Sequence, residues 1–489
     1  MKPEDLLVKE RIEKLNQIKK LGVNPYPSKF DKKDNISEIV KNYSKLKNEE
    51  HSKAKVKTAG KILAIREMGK ASFVDFQDQD AKIQCFFKED EIKKKYNLYK
   101  LLDIGDIIGV EGIPFRTKRG ELSILVKDLF ILTKSLKPLP DKWHGLKDTE
   151  ERLRKRYLDI LTNPEVKEMF LKKAKFWQTI RSFLMNKGFL EVETPILENS
   201  TGGAAATPFK THHNTLDLDV FLRISCGELW QKKLLVAGFE KIFEIGRIFR
   251  NEGMDSEHLQ DYSQMEFYWA YADFKDGMEL VQEMYKLIAK EVLGTLKFKT
   301  RGYEVDLGKK WELYDYEKLI KEKTNVDIYK ATSNEIRKKL ESLKMDYEKT
   351  ADKWRLVDSL WKYCRKSLSG PGFLINQPVE VTPLAKRSEK DNRKVEQFQV
   401  IIAGTELGNG YSELNDPLDQ EERFNEQRKL KEAGDTEAHD FDESFVEALK
   451  YGMPPACGFG VSERFFAYLM DKPVRECQIF PLMKPEKIN

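Results

Sequence analysis

Apolar residues recur at helical spacing near the start of the chain, over residues 5–21, among Lys and Glu side chains. A period of 3.6 residues predicts a helix with one apolar face, and the following Gly22, Pro25 and Pro27 predict its end. The apolar positions are Leu6, Leu7, Ile12, Leu15 and Ile18. The helix and the charged stretch behind it define a predicted N-terminal helical arm, residues 1–53.

From residue 55 apolar residues recur at every second position instead of at helical spacing. Alternating apolar and polar positions predict five strands, with helical sequence at residues 90–102 after the third. The predicted strands are residues 56–65, 71–78, 82–87, 107–112 and 121–132. Three strands, a helix and two further strands over about 80 residues are typical of an OB-fold, a small β-barrel, which we place at residues 54–137.

OB-folds bind single-stranded nucleic acid by stacking bases on aromatic side chains in a cation-lined groove. Candidates for such a face are Arg66, Phe73, Phe76 and Gln84. The alternative for the aromatic residues is that they fill the barrel interior, and this must hold for some of them.

A proline-rich hinge at residues 136–140 begins a predicted linker, residues 138–162, and the remainder, residues 163–489, has α+β patterning. Asn163 and Pro164 predict the cap and first turn of a long helix. Its apolar face holds Val166, Met169, Phe170, Phe176, Ile180, Phe183 and Leu184. Gly188 ends it, and a strand is predicted at residues 190–194 before Pro195. Residues 316–368 are charged and helix-periodic, which favours an inserted surface helical bundle without chemistry.

The length, 489 residues and 57.1 kDa, exceeds a single core of ~250–300 residues, so several domains are expected. With 40% apolar and 34% charged residues, a disordered or fibrous chain is excluded. The five cysteines are scattered and form no CxxC pair, which favours a reducing, cytoplasmic compartment over a disulfide framework or zinc site. No segment resembles a secretory signal or a membrane span, so no membrane partner is expected.

The net charge of +5 is unevenly distributed. Residues 1–150 hold 32 basic and 24 acidic side chains, a net +8, whereas the rest of the chain sums to −3. Such asymmetry indicates an N-terminal module that contacts something anionic, or a lysine-rich solvated surface. The arm therefore either faces RNA or packs on its neighbour.

Three separate segments carry the candidate chemistry. They are the helix running into residues 188–195, the string 249–252 followed by His258 and residues 265–267, and the glycine-rich residues 458–464. Each is weak alone, but their order and spacing resemble motifs 1, 2 and 3 of the class II aminoacyl-tRNA synthetases.

Longer strings make the chain similar to the class II lysyl-tRNA synthetase family from about Val8 to the end. They are residues 68–73, 139–146, 202–204, 211–217, 251–253, 270–273, 378–386 and 411–416. The resemblance implies an α+β catalytic domain with an antiparallel sheet plus an N-terminal OB-fold β-barrel. It also implies ATP-dependent attachment of L-lysine to tRNA(Lys) through a lysyl-adenylate, with Mg²⁺ as cofactor. A homodimer is implied because motif 1 forms the subunit interface in this class.

The reaction needs no strong base, because a carboxylate attacks the ATP α-phosphorus in line and catalysis is mostly positioning and charge stabilisation. By resemblance, the catalytic residues are Arg250, on the α-phosphate and the amino-acid carboxylate, and Arg464, stacked on the adenine. The other implied ATP-binding residues are Glu252 on the adenine amino group, Tyr262 on the other adenine face, His258 near the β/γ-phosphates and Glu406. Mg²⁺ would be held by Glu406 and Gln399, where Gln399 stands in place of a second carboxylate.

The resemblance also implies a lysine pocket. Glu266 would hold the α-ammonium, while Glu228 and Glu413 with Tyr268 would enclose the far end. The other implied substrate-binding residues are Gly203, Arg250, Asn409 and Tyr411. Two buried carboxylates need a cation, because unpaired buried charge costs several kcal/mol, and lysine supplies one. A lone glutamate is more often a structural salt bridge.

Some positions depart from the family pattern. Glu257 stands where an arginine usually precedes His258, which removes a γ-phosphate contact. The turn at residues 225–228 is one residue longer than usual, and so is motif 3 at residues 460–464; a local bulge is expected to absorb both. On the barrel, the resemblance implies anticodon-binding roles for Phe73, Gln84 and Glu121, with Arg66 as a further candidate beside Ile65.

Two other functions stay open at this stage. One is an OB-containing class II synthetase for aspartate or asparagine, against which the carboxylate-lined pocket argues. The other is a non-catalytic paralogue that binds tRNA, supported only by the departures from the family pattern. Lysylation of a protein is disfavoured because the OB-fold is present.

Overall fold

The computed structural model describes residues 3–140, 148–200, 203, 206–253, 255–349, 351–432 and 441–486. The chain divides into two compact units, Met1–Asp148 and Thr149–Asn489. Residues 141–147, which include most of the family-like string 139–146, lie outside the described residues. So do Gly202 and Ala204 of the string 202–204.

The N-terminal unit is built on a five-stranded closed barrel with the strand order β1-β2-β3-β5-β4. Its elements are α1 (Pro3–Lys20), α2 (Ile36–Asn42), β1 (Val56–Met68), β2 (Ala71–Gln77), β3 (Lys82–Lys88), α3 (Glu89–Ile92), α4 (Tyr96–Tyr99), β4 (Ile107–Arg116) and β5 (Leu122–Thr133). The OB-fold prediction is therefore confirmed.

Alternation along the strands builds the barrel interior. On β2, Ser72, Val74 and Phe76 are buried while the residues between them are half-exposed. The helical sequence expected at residues 90–102 forms two short helices rather than one. A 3₁₀ turn at Lys93–Lys95 separates α3 from α4, and Lys93 has φ +43°, a left-handed conformation that no α-helix continues through.

The C-terminal unit begins with α5 (Thr149–Arg154), α6 (Arg156–Thr162) and the long α7 (Pro164–Asn186), with Pro164 in its first turn as predicted. Its next elements are β6 (Leu190–Glu191), β7 (Leu197–Glu198), β8 (Lys210–His213), β9 (Leu218–Leu222), α8 (Glu228–Val236), β10 (Lys241–Phe249), β11 (Asp261–Ala270), α9 (Phe274–Leu293), β12 (Lys297–Thr300), β13 (Tyr303–Asp306) and β14 (Glu312–Asp315). The last are α10 (Tyr316–Thr324), α11 (Ser333–Ser342), α12 (Lys353–Arg365), β15 (Gly372–Ile375), β16 (Gln397–Ile402), β17 (Thr405–Ser412), α13 (Pro417–Glu432), α14 (Glu443–Lys450), β18 (Ala456–Ser462) and α15 (Arg464–Leu469).

An eight-stranded sheet forms the centre of this unit, in the order β14-β15-β16-β17-β18-β11-β10-β6. Only the pairs β6–β10 and β14–β15 are parallel, so the antiparallel α+β fold is confirmed. The apolar faces of α7 and α9 cover one side of the sheet, where Phe176, Tyr285 and Phe459 are buried in one core.

The strand expected at residues 190–194 is wrong in length, because β6 ends at Glu191. Its backbone leaves the sheet at Thr194, whose N–H and hydroxyl both donate to the Glu244 carboxylate, at 3.0 and 2.7 Å. The buried Glu244 side chain thus replaces the next backbone hydrogen bond between the strands.

Residues 316–368 form three helices, α10, α11 and α12, around an apolar core of their own that includes Ile320, Leu340 and Trp361. Leu374 and Ile401 of the central sheet belong to the same core. The insert is therefore packed against the sheet rather than projecting freely from it.

Candidate active site

Two adjoining cavities open over strands β11, β17 and β18. The arginine cavity, about 350 Å³, is lined by Arg250 and Arg464, and the glutamate cavity, about 450 Å³, by Glu228, Glu266 and Glu413. Five residues line both, namely Arg250, Gln264, Gln399, Asn409 and Gly460. A ligand can therefore extend from one cavity into the other past Arg250.

Arg250 follows the end of β10 and is fixed by local contacts. Its Nε donates to the carbonyl of Ile224 at 3.3 Å, and its guanidinium lies 5.9 Å from the ring centroid of Tyr262. A half-buried guanidinium at this junction can contact an anion in either cavity, and its planar fork suits carboxylates and phosphates.

All the residues predicted to bind the nucleotide line the arginine cavity. They are Arg250, Glu252, His258, Tyr262, Glu406 and Arg464, joined by Gln399. His258 contacts the carboxylate of Asp255 at 2.8 Å, with both side chains more than half exposed. Burial raises the pKa of Tyr262, so its hydroxyl stays protonated.

Glu257, at the departure from the motif 2 pattern, has two cationic partners. Its Oε2 accepts from Nε of Arg464 at 2.9 Å and its Oε1 from Nη2 of Arg301 at 3.2 Å. Arg301 lies in the turn between β12 and β13 and also donates to the carbonyl of Lys472 at 2.8 Å. The Glu257 carboxylate thus links Arg464 to Arg301, a residue that the sequence had not indicated.

The extra residue in each departing motif lies at a helix start. Strand β18 pairs with β11 in unbroken register from Ala456 to Ser462, so the bulge expected in motif 3 is wrong, and Glu463 instead precedes α15. At residues 225–228, Gly227 takes φ +73° before α8. A Cβ there would lie 2.0 Å from Oγ1 of Thr194, so only glycine fits.

The glutamate cavity contains every residue predicted for the amino-acid site. They are Gly203, Glu228, Arg250, Glu266, Tyr268, Asn409, Tyr411 and Glu413. Gly203 has φ +88°, and a Cβ on it would lie 2.9 Å from Cβ of Glu228. A Cβ on Gly458 would lie 2.1 Å from Oε1 of Glu413, so the motif 3 glycine leaves room for that carboxylate.

A buried lysine that the sequence analysis missed joins two of these carboxylates. Nζ of Lys232 lies 2.7 Å from Oε1 of Glu228 and 2.6 Å from Oε2 of Glu413, and the Lys232 side chain is only 1% exposed. Tyr411 donates its hydroxyl to Glu228 as well. The i,i+4 spacing of Glu228 and Lys232 on α8 was a readable signal, although it does not reveal burial.

Glu266 and Glu413 differ in how many hydrogen bonds their carboxylates accept. Glu266 accepts hydrogen bonds from the Cys226 N–H at 2.8 Å, Gln264 at 2.7 Å and the Tyr268 hydroxyl at 3.1 Å. In contrast, Oε1 of the buried Glu413 has no hydrogen-bond donor among the described residues. An unpartnered carboxylate oxygen on a residue that lines a cavity is a place for a cationic ligand.

The pKa shifts point the same way. Burial, assisted by the charge of Glu228, raises the pKa of Glu266 to about 7. Burial also raises the pKa of Glu413, even beside Lys232. For Lys232 itself, burial opposes the charge, but the two carboxylates outweigh it and raise its pKa, so it remains a cation. The cavity therefore gains from one more positive charge.

On the barrel, cross-strand pairing sets Arg66 opposite Phe73 and Phe73 opposite Phe86. Phe73 stacks on Phe86 with ring centroids 4.5 Å apart, Arg66 forms a two-pronged ion pair with Asp75, and the amide oxygen of Gln84 accepts from Ser123 at 2.9 Å. Glu121 is exposed in the turn before β5.

Phe76 does not belong to this face, because it is fully buried inside the barrel. It is three residues from Phe73, and an odd spacing on a strand sends two side chains to opposite faces. The sequence carried that signal. Phe86, which lies on the outer face, was not among the candidates.

The fold and the candidate active site together indicate the class of protein to which this chain belongs. The model for "tRNA synthetases class II (D, K and N)" matches residues 148–484, and that for "OB-fold nucleic acid binding domain" matches residues 56–132. A lysine--tRNA ligase of Moorella thermoacetica is 43% identical over all of this chain and 99% of its own length. Those of Thermotoga maritima and Thermoanaerobacter sp. (strain X514) are 43% and 45% identical, each over 98% of this chain and 96% of their own length. The chain belongs to the lysine--tRNA ligase family of class II tRNA synthetases.

Proposed function

We propose that this chain attaches L-lysine to tRNA(Lys) in two steps, with ATP as the activating substrate. The carboxylate oxygen of lysine attacks the α-phosphorus of ATP, and pyrophosphate leaves, which gives lysyl-adenylate. A hydroxyl at the tRNA 3′ end then attacks the lysyl carbonyl, and AMP leaves.

The observation that carries the lysine assignment is the charge of the glutamate cavity. When the three buried carboxylates of Glu228, Glu266 and Glu413 are all ionised, they outnumber the two cations, Lys232 and Arg250, and the net charge is −1. Lysine, with net charge +1, brings this sum to zero. Aspartate would deepen it to −2 and asparagine would leave it unchanged, and uncompensated buried charge is expensive.

The roles proposed for the residues follow from their positions. Arg250, at the junction of the cavities, binds the lysine carboxylate and the α-phosphate together, which brings the reacting atoms into line. Glu266 holds the α-ammonium, because its neighbour Gln264 lines both cavities. Glu413, with its free Oε1, and Glu228 with Tyr268 enclose the ε-ammonium.

In the arginine cavity, we assign the adenine to the space between Tyr262 and Arg464, with Glu252 accepting from its amino group. His258 lies at the exposed end, where the β- and γ-phosphates of the nucleotide extend. A divalent cation carried by the nucleotide would neutralise these phosphates. The residues expected to bind Mg²⁺, Glu406 and Gln399, do not offer it a fitting donor set, because both Glu406 oxygens already accept from protein donors and Gln399 is uncharged.

The test is lysine-dependent exchange of labelled pyrophosphate into ATP by the purified chain. Exchange with lysine, but not with aspartate or asparagine, is expected, followed by charging of tRNA(Lys). Glu228→Gln and Glu413→Gln each remove a buried charge and should reduce exchange at least about thirtyfold. Glu283→Gln is the control, since Glu283 forms an exposed surface pair with Lys187. Full activity in both cavity variants would refute the pocket assignment, and no adenylate with any amino acid would favour a non-catalytic paralogue.

We further propose a homodimer in the cytoplasm. Large apolar side chains in and after α7 are about half exposed, among them Leu171, Leu190, Ile196 and Leu197, which suits a covered interface. The five cysteines are all free and buried, as expected in a reducing compartment. Of the described helices, none is both long and apolar enough to span a membrane. Light scattering coupled to gel filtration tests the dimer, which a monomeric mass would exclude.

A further inference from the structure

Helix α12 of the insert reaches the arginine cavity through Glu406. Trp361 and Arg365 are one helical turn apart and share a face of α12. Nε1 of Trp361 donates to Oε1 of Glu406, and Nη1 of Arg365 donates to Oε2. Both carboxylate oxygens of Glu406 therefore accept from the insert.

Gln399 is the other residue expected to bind the metal. It pairs with Asn409 across β16 and β17, where a register shift follows, and it lines the same cavity as Glu406. Its amide offers one neutral oxygen, whereas Mg²⁺ favours charged oxygen ligands. Within the described ranges, no group of three His, Cys, Asp or Glu side chains could hold a metal ion.

Protein cations also partner two further acidic side chains that line this cavity, Glu257 and Glu463. Glu257 contacts Arg464 and Arg301, and Glu463 forms an ion pair with Lys173. Together with Arg365 beside Glu406, these contacts leave three of the carboxylates that line the arginine cavity paired with protein cations. Guanidinium groups are well suited to phosphate, since their charge is permanent and their donors form a planar fork.

We propose that Arg365, oriented with Trp361 by helix α12, is the resident counter-ion of Glu406, so that the protein itself holds no divalent cation between Glu406 and Gln399. Arg365 and Trp361 are positioning residues, and the insert is part of the nucleotide site. The divalent cation of the reaction then enters with the nucleotide alone. This inference rests on the proposed function only in taking ATP as the nucleotide.

The test is a Mn²⁺ titration of the full chain followed by electron paramagnetic resonance, first without nucleotide and then with saturating ATP. For the unaltered chain we expect no stoichiometric Mn²⁺ site at micromolar concentrations without nucleotide, and one Mn²⁺ per chain with ATP. The double variant Arg365→Met/Gln399→Glu frees Glu406 and restores a second carboxylate, so its Mn²⁺ affinity without nucleotide should rise at least tenfold.

Two further variants separate this effect from misfolding. Arg365→Lys keeps a cation and should behave like the unaltered chain, as should Lys362→Met, whose side chain is exposed on the same helix. A tight Mn²⁺ site in the unaltered chain that Glu406→Gln removes would overturn the proposal. So would a double variant with an unchanged melting temperature and unchanged Mn²⁺ affinity. Failure of the chain to bind ATP in equilibrium dialysis would count against the proposed function instead, since the nucleotide-free titration does not depend on it.

Discussion

Lys232 is buried next to the glutamate cavity, and its ammonium contacts Glu228 and Glu413, which line that cavity. The ammonium also lies near aromatic rings, with Nζ 5.4 Å from the ring centroid of Tyr411 and 5.8 Å from that of Phe445. A buried cation of this kind holds two carboxylates close together, where alone they would repel each other. Oε1 of Glu413 remains without a hydrogen-bond donor among the described residues.

Removal of this cation should be costly. We expect Lys232→Met to lower the free energy of unfolding by about 3–5 kcal/mol, because it leaves buried charge uncompensated. Urea denaturation of the full chain, followed by near-ultraviolet circular dichroism, measures the change. Lys233→Met, at a half-buried position on the same helix whose ammonium donates only to the Ser444 hydroxyl, should change it by much less, about 0.5 kcal/mol. Equal losses in the two variants would contradict the role given to Lys232.

The raised pKa of Glu266, about 7, predicts a proton linkage. A carboxyl with a raised pKa is partly protonated at neutral pH, and a bound ammonium favours its ionised form. Lysine binding should therefore release a fraction of a proton near pH 7, and its affinity should increase from pH 6 to pH 8. Calorimetry at pH 7 in two buffers of different ionisation enthalpy measures the release, and buffer-independent heats would argue against it.

At the scale of elements, the arginine cavity is assembled by segments that are distant in the chain. The loop between β10 and β11 supplies Glu257, the turn of the β12–β13 hairpin supplies Arg301, and α15 begins with Arg464. The loop and α15 meet because β10, β11 and β18 are neighbours in the sheet, and the β12–β13 hairpin, a separate two-stranded sheet, packs against α15. Glu257 thus connects the motif 2 loop to motif 3 where the family pattern has a second arginine.

We expect Glu257→Gln to raise the KM for ATP about tenfold with little effect on the KM for lysine, since a charged hydrogen bond that orients Arg464 is worth about 1.5–3 kcal/mol. Arg301→Met should act in the same direction, and the double variant should add little because both act through Arg464. Steady-state pyrophosphate exchange measures these constants. Glu304→Gln, which breaks only an exposed pair with Lys299, serves as the control. Strictly additive effects would show that the two residues act separately.

At the scale of the whole molecule, the two units divide the proposed work. The barrel unit carries the aromatic outer face, and the sheet unit contains both cavities. Under the proposed function, activation of lysine uses only the second unit, whereas charging of tRNA uses both.

Phe73→Ala should therefore leave lysine-dependent pyrophosphate exchange unchanged while it raises the KM for tRNA. Loss of one stacked base costs about 1–3 kcal/mol, a factor of roughly 5 to 150. Kinetics of tRNA charging and of exchange on the same preparation test the separation. Tyr26→Ala, at an exposed aromatic residue outside the barrel strands, should leave both reactions unchanged. A parallel fall of both reactions in Phe73→Ala would show a folding defect instead.

Local pattern alone determined much of this protein. Periods of two and 3.6 residues located the barrel strands, the long helix α7 and the insert helices, because alternation and amphipathicity are properties of neighbouring residues. The motif resemblance located Arg250, Glu266, Glu413 and Arg464, which line the two cavities. The odd spacing of Phe73 and Phe76 along β2 was enough to predict that they lie on opposite faces of the strand.

Only the tertiary structure decided which charges meet. Lys232 and Glu413 are far apart in sequence, as are Arg365 and Glu406, or Arg301 and Glu257, and nothing local distinguishes these cations from the many solvated lysines and arginines. Each pairing depends on strand order and on the packing of helices against the sheet. Electrostatic energy in a buried site depends on distance and desolvation, which sequence separation does not measure.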